Sequence, residues 1–339
     1  MYSILITSVG GGLACHLFSA IKRGKFKDLR IVGANNIKNI QAQNIFDKFE
    51  ILPDPNDKIF LPKLINIIKK NKIKLIIPGS DEEALAMSKN KNKIEKNSCL
   101  LACVDFKTLN IFNNKIMTYE ILKKKKLPVA NFFRINNLKE MKKKLKLFNK
   151  NDFVIKPALS RGGRDIIVVS KKFKKIEKKN FGREIHLPRK LFFSRFMSKT
   201  YFKFPAVLME RLFNPVYDLD MLGFKGKPIN VISRRRLNPN EPNEGHLIQK
   251  RSNIIRIGKK IIKEFNLSWL YDCDLMIDKK GNYKIIEINP RMSGSVAVSI
   301  EAGQPIFDNL ISLARKKPIK KSQILKRKLI FPYTKLAKA

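Results

Sequence analysis

Short apolar runs alternate with amphipathic segments in the N-terminal part of the chain. Runs at 2–8, 29–35 and 73–80 have the length of strands, while 13–23 and 61–70 carry apolar residues at helical spacing. This strand–helix alternation predicts a parallel sheet with helices on both faces, because a parallel crossover needs a helix-length connection. We therefore expect a Rossmann-like domain over residues 1–108.

The pattern changes after residue 108. A helix over "NNKIMTYEILKKKK" ends at Pro128, and strands follow in "DFVIKPA", "IIVVS", "AVLMERL", "YDLDMLGF" and "KPINVISRRRL". Mixed helices and mostly antiparallel strands favour an α+β region. The predicted division is a first lobe over 109–205, a second lobe over 206–318 and a basic C-terminal tail over 319–339.

The charge balance is strongly basic, with 71 Lys and Arg against 28 Asp and Glu and a net charge of +43. Nucleic acid is the obvious partner for such a chain. However, the lysines follow helix-like stretches such as "LKEMKKKLKLFNK", and no arginine-rich arm or zinc-finger pattern accompanies them. Compositional drift explains the charge better, so no specific nucleic-acid partner is expected.

The apolar runs, the N-terminal segment and the cysteines indicate where the protein is located and whether its cysteines are reduced. No apolar run approaches the roughly 18 residues that span a bilayer, and the N-terminus enters a strand without a basic segment typical of a signal peptide. The four cysteines are scattered. A reduced cytoplasmic location is the expectation.

Two features of the N-terminal domain raise the question of a ligand. The turn at 10–12 satisfies only part of a dinucleotide fingerprint, since Cys15 replaces its third glycine and Asn35, not an acid, ends the second strand. A nicotinamide site is therefore not expected. The acidic run at 80–84 either receives an ammonium group or starts a helix capped by Ser80, and we favour the helix start slightly.

The stretch "DLMIDKKGNYKIIEIN" has the pattern of a hairpin centred between Lys280 and Gly281. That register places Asp274 opposite Glu287, Met276 opposite Ile285 and Asp278 opposite Tyr283. Asn289 then shares the face of Glu287. Two opposed carboxylates repel each other unless a cation lies between them, and oxygen ligands of this kind suit Mg²⁺. The alternative is a surface hairpin with scattered polar residues.

Cationic side chains near glycines suggest an anion site. Lys156 ends an apolar strand and is followed by "SRGGR" at 160–164, where backbone N–H groups can approach a phosphate. Arg234 and Arg236 share one strand face and form a second candidate anion clamp, whereas Arg235 points to the other face.

The order of "NNKIMTYEIL", "VIKPALSRGGRDIIVV", "VLMERL", "DLDML", "RRRL" and "LMIDKKGNYKIIEINPRMSGS" resembles the ATP-grasp superfamily. It looks closest to the carbamoyl-phosphate synthase large-subunit-like branch and its carboxylate–amine ligase relatives. The resemblance covers 113–302, and the N-terminal unit is similar to the Rossmann-like domain that precedes this fold. The expected fold class is thus α/β and α+β, a Rossmann-like pre-ATP-grasp domain followed by a two-lobed ATP-grasp fold.

The resemblance also implies a nucleotide site. The residues matching phosphate, loop and adenine contacts are Lys115, Lys156, Ser160, Arg161, Gly162, Gly163, Glu210 and Leu212. Asp218, or Asp220, lies where the family often places a ribose-binding acid. Lys115 could instead be a solvated helix lysine, and Glu210 a strand-end acid.

For the reacting end of the nucleotide, the resemblance implies a metal site and two arginines. Asp274, Glu287 and Asn289 match the ligands of Mg²⁺ or Mn²⁺. Arg291, with Arg236 as a second candidate, would stabilise the transferred phosphoryl group. His246 could contact substrate, although a structural role is favoured.

The implied function is an ATP- and Mg²⁺-dependent ligase that joins a small-molecule carboxylate to an amine through an acyl phosphate. One alternative is carbamoyl-phosphate-synthase-like phosphorylation of a carboxyl or carbamate group. The other is a degenerate ATP-grasp protein that acts as a basic binding module. Homodimers are common among the relatives, and the substrates themselves are not readable from the sequence.

Overall fold

Three sheets follow one another along the chain in a computed structural model. The structure describes residues 1–37, 43–148, 152–160, 164–179, 182–197, 202–241, 243–322 and 327–333. No helix in these ranges is long and apolar enough to cross a membrane.

The first sheet has five parallel strands in the order β3-β2-β1-β4-β5, as the alternating pattern predicts. Its strands are β1 (Tyr2–Ile6), β2 (Leu29–Asn35), β3 (Lys48–Ile51), β4 (Ile73–Ile77) and β5 (Leu100–Leu101). The strand order reverses between β1 and β4. Ligands of open α/β sheets usually bind outside the carboxyl ends of the strands at such a point.

Amphipathic helices accompany this sheet. They are α1 (Ala14–Lys22), α2 (Phe60–Asn71), α3 (Asp81–Lys89), α4 (Lys91–Glu95) and α5 (Phe106–Asn113). In α2, Phe60, Leu64 and Ile67 are buried at helical spacing, and each such side chain contributes about 1.5–3 kcal/mol by leaving water. The helix stops at Lys72, whose backbone turns left-handed with φ 51°.

The second sheet has six strands in the order β6-β11-β7-β8-β10-β9, of which only β8 and β10 pair in parallel among the described residues. They are β6 (Phe132–Ile135), β7 (Phe153–Pro157), β8 (Ile166–Ser170), β9 (Glu177–Lys179), β10 (Glu184–Pro188) and β11 (Ala206–Glu210). The accompanying helices are α6 (Lys115–Lys124), α7 (Leu138–Leu145) and α8 (Arg189–Leu191), with a 3₁₀ turn at Lys146–Phe148 and a π turn at Phe192–Phe196. In α7, Met141 and Leu145 face the core, so its lysines form the predicted solvated face.

The third sheet is antiparallel, with the order β16-β15-β12-β13-β14-β17. Its strands are β12 (Phe213–Phe224), β13 (Lys227–Arg236), β14 (His246–Ile248), β15 (Trp269–Ile277), β16 (Tyr283–Asn289) and β17 (Lys328–Ile330). The remaining helices are α9 (Ser252–Glu264), α10 (Val296–Glu301) and α11 (Ile306–Ala314). Gly258 lets α9 approach the sheet, because a Cβ there would lie 2.7 Å from Val231 Cγ1.

Part of the basic tail is structured. The tail has little apolar pattern, yet Lys328–Ile330 forms the edge strand β17 and pairs with β14. The partly buried Ile330 packs on a small apolar cluster that contains Ile248 and Val298. This pairing depends on a partner 80 residues away in the sequence, which no local pattern reveals.

The predicted hairpin forms, but its register is correct only at the site end. Asp274 lies opposite Glu287, and Asp272 opposite Asn289. Nearer the turn the prediction is wrong by one residue. The pairs observed there are Leu275–Ile285, Met276–Lys284 and Ile277–Tyr283.

A bulge at Ile286 causes this shift. The Ile286 carbonyl accepts a hydrogen bond of 2.6 Å from the Tyr119 hydroxyl on α6, and the Ile285 N–H donates to the Pro128 carbonyl at 2.8 Å. Ile286 is thereby left out of the ladder, while Ile285 stays paired with Leu275, and the two contacts tie the hairpin to the first lobe. Asp278 then lies in the loop, where it accepts from the N–H groups of Lys280 and Asn282.

Candidate active site

Acidic residues form two rows across one face of the third sheet. In the first row, Asp218 on β12 lies opposite Asp274 on β15, which lies opposite Glu287 on β16. The second row, two residues along each strand, contains Asp220, Asp272 and Asn289. The two-residue strand period puts both rows on the same face. A basic protein therefore concentrates several carboxylates on one small surface.

Three of these acids make up what we call the carboxylate cluster: Asp218, Asp272 and Asp274, each with a carboxylate oxygen within 4.8 Å of the others. Arg236 partly neutralises it. The Arg236 Nε donates to Asp218 at 3.0 Å, and its Nη2 donates to Asp274 at 2.9 Å. Burial alone would lower the pKa of Arg236, but Asp274 and Asp218 raise it above its usual value.

Arg291 Nη1 also lies 3.4 Å from Asp272 Oδ2, but Arg291 is shared with Asp81, so the two guanidinium groups do not balance the acids around them. Burial would raise the pKa of Asp218, yet Arg236 and Arg234 hold it below the usual range. Burial and the charge of Asp218 raise the pKa of Asp272 to about 6. Burial also raises the pKa of Asp274, and Asp272 adds to this effect although Arg236 opposes it. The cluster therefore holds more negative charge than its environment compensates.

Two buried oxygens are suited to bind a cation. Oδ1 of Asp272 and Oδ1 of Asp274 accept no hydrogen bond from any residue that the structure describes. The Asn289 side chain donates its N–H to Asp272 Oδ2 at 3.0 Å, which leaves its amide oxygen for another partner. Unpaired carboxylate oxygens beside an amide oxygen are the donor set that Mg²⁺ prefers. The residues present thus fit the metal that the resemblance implies.

The predicted ligand set differs from the tightest group of acids. The prediction names Asp274, Glu287 and Asn289, whereas the nearest carboxylates are those of the cluster, and Asp272 was missed. Its signal was available, because Asp272 lies two residues before Asp274 on a strand. Which oxygens bind a metal stays a prediction.

Two lysines reach this face from the other lobe. Lys115 begins α6 and Lys156 lies on β7, and each is only 7% exposed. Lys115 Nζ lies 3.8 Å from Glu287 Oε2. Burial lowers the pKa of both lysines, while Glu287 opposes the shift. The alternative of Lys115 as a solvated helix lysine is wrong, because its ammonium group is buried beside an acid.

The start of the predicted glycine loop lies next to these lysines. Lys115 Nζ donates to the carbonyl of Ser160, and the Ser160 hydroxyl is buried without a partner among the described residues. Arg161, Gly162 and Gly163 lie outside the described residues. Their predicted contact with phosphate stays a prediction.

The adenine and ribose assignments rest on fewer contacts. Glu210 ends β11, where its carboxylate accepts from the Asn131 N–H at 2.8 Å, and Leu212 is buried just beyond it. Asp218 is 2% exposed and held by Arg236, which argues against its predicted contact with a ribose. Asp218 belongs instead to the carboxylate cluster, since its oxygen lies close to those of Asp272 and Asp274.

Arg291 connects the third sheet with the first. Its Nε lies 3.2 Å from Asp81 Oδ1 at the start of α3, and its Nη1 lies 3.4 Å from Asp272 Oδ2. Ser80 caps α3 by accepting from the Glu83 N–H, and the Glu83 side chain accepts from three hydroxyls. The helix-start interpretation of 80–84 fits these contacts, except that Asp81 serves as a partner for Arg291.

Several of the charged and polar residues described above line a small cavity of about 20 Å³. Residues from all three sheet regions line it, among them Asp81, Lys115, Ser160, Glu287 and Asn289. An acid, a lysine and two candidate metal ligands thus converge where a reacting group could bind.

The predicted clamp of two arginines is wrong for Arg234. It is fully buried, its Nε lies 2.9 Å from Asp220, and its Nη1 donates to the Ser295 hydroxyl at 2.8 Å. His246 is also fully buried, with its Nδ1 3.5 Å from Asp218, so it cannot contact substrate as suggested. Sharing a strand face did not distinguish a buried arginine from an accessible one.

Comparisons with known proteins agree with this architecture. The family model described as "ATP-grasp in the biosynthetic pathway with Ter operon" matches residues 203–339, and the model "PylC-like, N-terminal domain" matches residues 4–102. No curated protein sequence matches the chain.

Solved structures match almost the whole chain at low identity. N5-carboxyaminoimidazole synthetase from Staphylococcus aureus, complexed with ADP, has a TM-score of 0.71 and 14% identity, covering 97% of this chain and 82% of that chain. The biotin carboxylase domain of Hydrogenobacter thermophilus 2-oxoglutarate carboxylase, with MgADP, ADP and bicarbonate, gives 0.69 and 16%, covering 95% and 71%. L-amino acid ligase from Bacillus licheniformis gives 0.63 and 14%, covering 93% and 74%.

The sheet order, the facing lobes and the two family models all indicate the same fold. The chain has the ATP-grasp fold with a Rossmann-like N-terminal domain, as its sequence motifs predict.

Proposed function

We propose that this protein is an ATP- and Mg²⁺-dependent ligase that joins a carboxylate to an amine through an acyl phosphate. The single observation that carries the proposal is the pair Asp274 and Glu287. They oppose each other on adjacent strands, one has a buried unpaired oxygen, and a buried lysine lies 3.8 Å from the other.

The metal would be held by Asp274, Glu287 and Asn289, with Asp272 as a further oxygen close by. When bound, Mg²⁺ or Mn²⁺ neutralises phosphate charge and orients the phosphate oxygens. This role explains why the fold tolerates repulsion between these acids. Attraction between these negative charges and the cation provides the binding energy for the metal.

The cationic side chains would hold the nucleotide and the reacting group. Lys115 and Lys156 suit the phosphates because both ammonium groups are buried at the edge of the carboxylate face. Arg291 and Arg236 would stabilise negative charge on the transferred phosphoryl group, a function of fixed cations in a site from which water is largely excluded. No nucleophilic side chain is needed, because the substrate carboxylate attacks the γ-phosphate and releases ADP, and the amine then displaces phosphate from the acyl phosphate.

The similar structures support this reaction class without naming a substrate. One is called an L-amino acid ligase and another a synthetase complexed with ADP. The structure with MgADP and bicarbonate favours a second candidate, phosphorylation of a carboxyl or carbamate group. A degenerate binding module is the weakest candidate, because the acids, lysines and arginines expected of a working site are present together.

The proposed division of labour follows the predicted boundaries. Residues 109–205 would close over the nucleotide and 206–318 would carry the metal, while Asp81 of the domain 1–108 meets Arg291 at the cleft. Within the segment 319–339, Lys328–Ile330 forms the edge strand of the third sheet.

The decisive experiment measures ADP release against a panel of amino acids and hydroxy acids, with wild type and Glu287→Ala side by side. We expect turnover with a subset of the panel and none in the variant. Glu120→Ala, which removes an exposed glutamate of α6, is the matched control and should behave as wild type. In parallel, a non-hydrolysable ATP analogue should raise the melting temperature only when Mg²⁺ is present.

Normal turnover in Glu287→Ala would count against the metal assignment. No protection by nucleotide, together with salt-sensitive binding to a polyanion, would favour the binding-module alternative.

A further inference from the structure

A second, larger cavity of about 440 Å³ lies away from the carboxylate cluster. Val231 of β13 and the neighbouring helix α9 form part of its wall. Val231 alternates with Arg234 and Arg236 along the strand, so this part of the wall belongs to the opposite face of the third sheet. Its size is within the roughly 300–1,000 Å³ that small-molecule sites occupy.

The floor of this cavity is apolar. Ile229 and Val231 of β13 and Ile255 of α9 line it. Gln304, which follows α10, lines the same space and is 3% exposed, yet its Oε1 accepts no hydrogen bond from the residues that the structure describes. A buried acceptor without a donor costs about 1–3 kcal/mol, so a donor on a bound molecule would recover that loss.

The rim is cationic. Lys250, Lys259 and Lys321 reach the cavity with exposed side chains, and no ion pair joins any of them to an acid in the described part of the chain. Lys320 also lines the rim, but its ammonium group lies 3.4 Å from Asp308. Like charges around a common space repel one another, and an anion between them removes the repulsion.

The outer wall is fixed by two buried asparagines. Asn309 exchanges hydrogen bonds with the backbone of Lys320, at 2.8 and 2.9 Å, and also donates to Asn230. Asn230 in turn donates to the Ser322 hydroxyl at 2.5 Å. The segment 320–322 is therefore held against β13, and the cavity is formed before any ligand arrives.

We propose that this cavity is a second ligand site, which binds a small organic anion with an apolar body and a hydrogen-bond donor. The rim lysines attract the anionic group, the isoleucine and valine floor takes the body, and Gln304 accepts from the donor. A carboxylate and a phosphate monoester share this chemistry. The site is independent of the ATP cleft and of the ligase reaction proposed above.

Anilinonaphthalene sulfonate is a suitable probe, because it combines an anion, an apolar body and an N–H group. We would titrate it into the full chain with the ATP cleft occupied by a non-hydrolysable ATP analogue and Mg²⁺. Fluorescence should report one saturable site. Lys259→Glu should weaken binding about tenfold, equivalent to about 1.4 kcal/mol, and Gln304→Leu should weaken it as well.

Lys263→Glu is the matched control. It makes the same charge change one turn along α9 at an exposed position that does not line the cavity. We expect its affinity to stay near wild type, and we expect ADP release to be unchanged in both lysine variants. Equal weakening by Lys259→Glu and Lys263→Glu, or binding without saturation, would overturn the proposal.

Competition identifies the anion. Displacement of the probe by AMP assigns a phosphate ester, and displacement by benzoate assigns a carboxylate. Displacement by inorganic phosphate alone would mean attraction by charge without a built site, which contradicts the proposal, as would a failure of all three to compete.

Discussion

Arg234 and Arg236 lie two residues apart on one face of β13, but their surroundings differ in charge balance. Arg234 is fully buried, and its side chain contacts Asp220 and the hydroxyls of Ser293 and Ser295. Arg236 is partly exposed and faces the carboxylate cluster, in which two buried oxygens have no partner in the described residues.

The first arginine thus completes a neutral unit, while the second leaves an excess of negative charge. Burial of a matched pair serves folding, because each charge satisfies the other. An unbalanced group of acids at a cleft costs stability unless a ligand balances it. Charge balance, more than position on a strand, separates the structural arginine from the functional one.

The largest effect on stability should follow from breaking the buried ion pair between Arg234 and Asp220. Arg234→Met leaves Asp220 buried without a cation, and removal of one partner from a buried pair costs about 3–5 kcal/mol. Urea denaturation should show that loss in the free energy of unfolding. Arg235→Met, on the other face of the strand, should change it by less than about 0.5 kcal/mol. Similar small losses of stability in both variants would show that Arg234 has no special structural role.

Arg236→Met should act on function more than on folding. Turnover should fall about 100-fold, the effect of removing one preorganised charge near a reacting group. Because Asp274 would remain available to a cation, excess Mg²⁺ should restore much of the lost stability, as any ligand of the folded state does. The same addition should not rescue Arg234→Met. Rescue of both variants, or of neither, would show that the two arginines are equivalent.

Much of the fold and of the candidate site could be predicted from short-range patterns in the sequence. The two-residue period of a strand is enough to place Asp274 opposite Glu287 once the turn is located. Lys156 ends an apolar run, so it could be found from its position, whereas Lys115 was assigned only through the resemblance to the family. Fold class followed in the same way from the change between alternating helices and antiparallel strands.

The remainder depends on contacts between distant segments. The bulge at Ile286 exists because Tyr119 and Pro128 bind backbone groups that would otherwise join the ladder. Asp81 reaches Arg291 only after the first and third sheets pack together. The burial of Arg234 depends on residues 293 and 295 folding over it. Local periodicity contains none of this information.

Asp81 allows a third test, on the partner of Arg291. Asp81→Asn removes the acid 3.2 Å from the Arg291 Nε and leaves Asp272 as its remaining acidic partner. We expect kcat to fall about tenfold, since a misplaced charge loses part of its effect, with little change in the KM for ATP. Asp81→Glu should recover part of the loss. A variant that changes stability but not kcat would make Asp81 a purely structural residue.

The smallest effect concerns Glu83, a buried acid of the first sheet region that is satisfied by hydroxyls and not by an arginine. Thr7, Ser8 and Ser80 donate to its carboxylate. Burial nevertheless raises the pKa of Glu83, although the hydroxyls oppose the shift. The folded protein therefore binds this proton more tightly than the unfolded chain does.

The sign of the pH effect follows from that difference. Glu83 stabilises the fold most below the ordinary glutamate pKa of about 4.3, and this contribution is lost as pH rises through the raised pKa of the folded state. In Glu83→Gln the contribution is absent. The difference in free energy of unfolding, wild type minus variant, should therefore decrease as pH rises through this window and then become constant. Chemical denaturation at several pH values, with Glu120→Gln as the control for losing one carboxylate, measures it. A difference that increases with pH would mean that the hydroxyls outweigh burial and that Glu83, like Asp218, has a lowered pKa in the folded state.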